Sequence, residues 1–128
     1  MTMALYVFLG GGLGSLARWL VGLGAIRLLG AGFPYGTLAV NILGSFVIGV
    51  LARVLPAAAA GGQEARLLLM TGFLGGFTTF SAFALDTAGL VGEGEGGWAL
   101  VYVLASVLLS FAAVAAGLAV GAALRGAS

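Results

Sequence analysis

Charged residues interrupt this chain so rarely that their spacing divides it. Residues 28–52, 67–85 and 96–124 carry no charge, and the stretch before Arg27 carries only Arg18. A helix needs about 20 apolar residues to cross the hydrocarbon core of a bilayer. The pattern predicts four membrane-spanning helices, at roughly 3–28, 35–55, 67–88 and 98–124. Chain breakers fall in the gaps: Gly30, Gly32 and Pro34, then Pro56 with Gly61-Gly62, then Gly92 to Gly97 with Glu93 and Glu95. Each connection is short, so consecutive helices are expected as antiparallel neighbours. The N-terminal stretch lacks a positive leading segment and runs on through Trp19, so it reads as a retained helix rather than a cleaved signal. The expectation is an all-α integral membrane protein, one four-helix domain over residues 1–128.

Composition agrees. Of 128 residues 62% are hydrophobic and 7% charged, too few charges to cover a water-soluble surface. Cysteine and histidine are both absent. That excludes thiol chemistry, disulfides, haem, iron–sulfur clusters, the usual zinc sites and a histidine general base. A net charge of +1 offers no footprint for nucleic acid. With no acid/base pair, nucleophile triad or cofactor motif, an enzyme is not expected. Arg53, Arg66 and Arg125 fall on the side of the termini, against Arg27 and a snorkelling Arg18 on the other. This is a weak positive-inside bias.

Polar groups inside a membrane are costly, so each needs a reason. Thr37, Asn41 and Ser45 recur every fourth residue on one face of the second span. They suit either helix–helix glue or an amide offering N–H donors to an anion in a pore. Tyr102, Ser106 and Ser110 repeat the spacing in the fourth span, a hydroxyl ladder continued by the small residues Ala113, Gly117 and Gly121. Those small residues read as a close-packing face.

The third span is the most informative. Gly75-Gly76 at mid-membrane, followed by Thr78-Thr79, is poor helix sequence, and a break is expected there. Freed carbonyls from two copies would make an oxygen cage for a hard cation; the alternative is a kink with its hydrogen bonds satisfied locally. Phe80 and Phe83 share a face beside the break, with Ser81 just off it. Ring edges are positive and can host a small anion without a formal charge. Arg18 is the one candidate charge available within a span to assist them, given the absence of Lys and His.

Three strings carry a family resemblance: Gly75-Gly76-Phe77-Thr78-Thr79-Phe80-Ser81, then Gly36-Thr37-Leu38-Ala39-Val40-Asn41 followed by Gly44-Ser45-Phe46, and Gly10-Gly11-Gly12-Leu13-Gly14 ahead of Arg18. In order, spacing and coverage of all four spans, the chain resembles the Fluc (CrcB) fluoride channels. The resemblance implies a multi-pass protein of the inner (plasma) membrane, an antiparallel dual-topology homodimer with two pores for passive fluoride export. By motif, Asn41 would line the pore, and Phe80 and Phe83 would contact fluoride edge-on. Tyr102, Ser106 and Ser110 would form a polar track, with Ser81 contributing and Arg18 near a vestibule. Backbone carbonyls of Gly75 and Thr78 from both subunits would hold a structural sodium ion. One departure is Ala82, where some relatives have a second hydroxyl. The rival reading is a small dual-topology proton-coupled antiporter, which needs an embedded carboxylate. Asp86, near the predicted end of span three, is a poor candidate for one.

Overall fold

A computed structural model describes residues 2–127. Four stretches are long and apolar enough to cross a membrane: Thr2–Leu29, Tyr35–Val54, Gln63–Gly92 and Gly96–Gly126. The first two are α1 and α2. The third divides into α3, residues 63–77, and α4, Phe80–Gly92. The fourth is α5. Glycine-rich stretches such as Gly10 to Gly14 would be weak helix formers in water. In lipid every backbone group must find an internal partner, so helix is enforced there. The ends follow local chemistry. Gly30 closes α1 at φ 82°, a left-handed conformation that a side chain would resist, and Pro34 precedes α2. Arg66 fastens the end of α2 to the start of α3. Its Nε donates to the Pro56 carbonyl at 2.7 Å and one Nη donates to Leu55 at 3.0 Å, a cation on a helix C-terminus.

The principal pairings are α1 with α3 and α2 with α5, whereas the second and third spans touch only lightly. Consecutive order therefore does not set the main contacts. Glycines set them. A Cβ on Gly14 would run into the Phe73 carbonyl, and one on Gly76 into the Gly11 carbonyl. On the other side a Cβ on Gly117 would strike the Phe46 carbonyl, and one on Gly49 would lie 2.6 Å from the Val114 oxygen. Such small-residue faces let helix backbones approach where lipid provides no hydrophobic drive. Gly117 and Gly121 are buried against α2, which is the packing role their spacing suggested.

The break falls within the predicted stretch, at its threonines rather than its glycines. Gly75 and Gly76 stay helical, and the chain becomes extended at Thr78 (φ −86°, ψ 159°) and Thr79 (φ −154°, ψ 124°). Gly76 is spent on contact with α1, while the two β-branched residues find other partners for their backbone. Before the break, Arg66–Leu74 winds in the wider i+5 turns that often mark functional sites.

Candidate functional site

The break leaves polar backbone at mid-span, tolerable only if it is buried in protein or lines a cavity. Its bonds can be accounted for one by one. The Thr78 N–H and Oγ1 both donate to the Leu74 carbonyl, at 3.0 and 2.9 Å. The Thr79 N–H donates to Asn41 Oδ1 at 2.8 Å, and Asn41 Nδ2 donates to the Thr79 carbonyl at 3.0 Å. Thr79 Oγ1 then accepts the Ala82 N–H and caps α4. Arg18, from α1, donates through Nε to the Gly76 carbonyl at 3.0 Å. A carbonyl-rich end of α3 and an amide-rich end of α4 thus meet inside the membrane, the half-helix arrangement that suits ions.

A cavity of about 540 Å³ opens beside this break. It gathers Asn41, Gly75, Thr78, Phe80, Phe83, Ser106 and Ser110 from the predicted site, and no described residue lining it is charged. Phe80 and Phe83 meet edge to face, centroids 5.7 Å apart. Phe83 continues to Tyr102 at 5.2 Å, so the rings form a row. Ser106 is buried, and its Oγ has no hydrogen-bond partner. A buried hydroxyl left without a partner in a cavity wall calls for an explanation, and it retains an unused donor.

A family profile described as "CrcB-like protein, Camphor Resistance (CrcB)" matches residues 5–118, and so takes in the break, the cavity and both ladders. The chain belongs to the CrcB family. Among its relatives, a protein named "Fluoride-specific ion channel FluC" from Rhizobium johnstonii is 55% identical over 120 residues, covering 94% of this chain and 96% of the relative. The protein of that name from Paracoccus denitrificans is 59% identical over 117 residues, 91% and 92% of the two chains. That from Caulobacter vibrioides is 49% identical over 121 residues, 94% and 95%. These CrcB relatives are named as ion channels, and this chain matches them nearly end to end.

Three predicted residues of this CrcB protein lie off the cavity wall. Tyr102 is buried behind Phe83 and donates to Asp86 Oδ2 at 3.0 Å. Ser81 is exposed, its Oγ 3.4 Å from Thr79 Oγ1. Arg18 is half-buried on the α1 side of the break. Two further residues matter whose partners the sequence reading did not identify. Thr79 is the backbone anchor of the break, and only its β-branching hinted at this. Asp86 was placed near the end of the third span. It lies in the last part of that span, midway along α4, and its Oδ2 accepts from the Tyr102 hydroxyl. An acidic residue inside an apolar run was the available signal.

Proposed function

We propose that this protein is a fluoride-selective channel that lets fluoride leave the cell passively. The observation that carries the reading is the cavity beside the helix break, lined by Asn41, Phe80, Phe83, Ser106 and Ser110 and by no charged described residue, with a buried, unpartnered Ser106 hydroxyl in its wall. A small, strongly hydrated anion gives up its water only to donors that replace it, and it leaves again only if they bind weakly. Neutral O–H, N–H and ring-edge donors meet both demands. Phe80 and Phe83 offer their edges, Ser106 and Ser110 their hydroxyls, and Asn41 the Nδ2 hydrogen left over from Thr79. Tyr102 and Ser81 extend the path at its two flanks. Arg18 is the vestibule charge, held on the Gly76 carbonyl.

The working unit is an antiparallel homodimer with two pores. Phe80 is 80% exposed, and Gly75, Thr71 and Ser81 are exposed with it. A polar mid-span surface is a poor face for lipid and a good one for a second copy. The same face bears Gly75 and Thr78. The donors available from Gly75 and Thr78 are oxygens, backbone carbonyls and one hydroxyl, which suit a hard cation such as sodium. That ion would neutralise converging carbonyls. Gly75 and Thr78 would hold it by their backbone oxygens.

Liposomes loaded with fluoride and containing the purified protein test the function. Fluoride efflux without chloride efflux, unchanged by an imposed proton gradient, is expected. Efflux that stops without proton exchange would instead make Asp86 the carboxylate of an antiporter. The chain has no cysteine, so a single Ser81→Cys substitution also reports the dimer, through a cross-link between copies.

A further inference from the structure

A second cavity, of about 280 Å³, lies at the end of the bundle away from the termini. All four spans finish there. Leu29 closes α1, Phe33 and Tyr35 lead into α2, Leu90 lies near the end of α4, and Glu95 and Trp98 begin α5. The three rings are set at angles rather than stacked. Phe33 meets Tyr35 at 4.9 Å and 53°, and Trp98 at 6.0 Å and 73°. Tyr35 and Trp98 are exposed, so the walls are reached from outside the bundle. Glu95, also exposed, supplies a carboxylate, and no described lining residue is basic.

Tyr and Trp collect at headgroup depth in many membrane proteins. That tendency explains the rings but not a carboxylate among them. The negative faces of aromatic rings attract an ammonium group, and a carboxylate beside them reinforces the preference. We infer that this cavity binds the ammonium head of a zwitterionic phospholipid, ethanolamine or choline, from the adjacent leaflet. The lipid is the favoured source because the rings lie at the span ends, where such heads are concentrated. The inference is independent of which ion the bundle conducts.

Native mass spectrometry of the detergent-purified protein tests it, with phosphatidylethanolamine, phosphatidylcholine and phosphatidylglycerol offered in equal amounts. The wild type is expected to retain the two ammonium lipids about fivefold over phosphatidylglycerol. Glu95→Gln and Trp98→Leu are each expected to lose that preference while melting like the wild type. Equal retention of all three lipids by the wild type overturns the inference, as does an unchanged preference in Glu95→Gln. The Glu95→Gln variant preserves shape and stands alone if Trp98→Leu does not fold.

Discussion

Asn41 clasps Thr79 from both sides of the residue. Its Oδ1 takes the Thr79 N–H and its Nδ2 gives to the Thr79 carbonyl, so one side chain stands in for the helix that stops there. The residue proposed to line the pore is thus also a structural clasp. Asn41→Ala strands both backbone atoms, at about 1–3 kcal/mol. It is expected to lower the melting temperature in detergent and to abolish fluoride efflux. Asn41→Asp keeps the acceptor and loses the donor, so it should melt between the two and still fail to conduct. Wild-type melting of Asn41→Ala would mean that the break is held by something else.

The glycine contacts make a sharper structural prediction. Gly14→Ala drives a methyl into the Phe73 carbonyl, whereas Gly12, two residues earlier on the same helix, has nothing within 4 Å. Overpacking of this kind costs about 1–3 kcal/mol, while Gly→Ala in an open helix gains up to about 1 kcal/mol. Gly14→Ala should therefore reduce folded yield and melting temperature, and Gly12→Ala should match or exceed the wild type. Equal melting of the two variants would remove the close-packing account of α1.

The same glycines mark where the sequence was legible and where it was not. Hydropathy located all four spans because the membrane imposes a length that charges punctuate. The spacing of Gly117 and Gly121 revealed a packing face because α5 is one unbroken helix. Gly75 to Thr79 marked the break but not its exact residue, because weak helix propensity and close packing both draw on Gly76, and sequence alone does not say which use prevails. The partners of Thr79 and Asp86 were not legible because they lie 38 and 16 residues away. Asn41 left two readings open, glue and donor, and its amide has atoms for both.

Phe80 and Phe83 should separate stability from conduction. Phe80 is 80% exposed, so Phe80→Leu removes little packing from one copy of the chain. Phe83 sits between Phe80 and Tyr102, so Phe83→Leu disturbs a row of rings worth about 0.5–1.5 kcal/mol per pair. Both variants are expected to slow fluoride efflux by about tenfold or more, since each removes a ring edge worth about 1.4 kcal/mol to the passing ion. Phe83→Leu, which breaks two ring pairs against one for Phe80→Leu, is expected to lower the melting temperature more. Normal efflux from both, read with a fluoride electrode, would exclude the rings from the path.

Ser106 gives the opposite signature to a structural residue. Its buried Oγ has no partner, so the folded protein carries the desolvation of that hydroxyl without a bond in return. Ser106→Ala removes the unsatisfied atom and leaves the methylene in place. The melting temperature is expected to hold or rise, while fluoride efflux falls because an unused donor in the cavity wall is gone. Ser106→Thr, which keeps a hydroxyl, should recover part of the efflux if the added methyl is accommodated. A hydroxyl that served only packing would give the reverse for Ser106→Ala, with lower stability and unchanged efflux, and liposome efflux alongside thermal melting distinguishes the two.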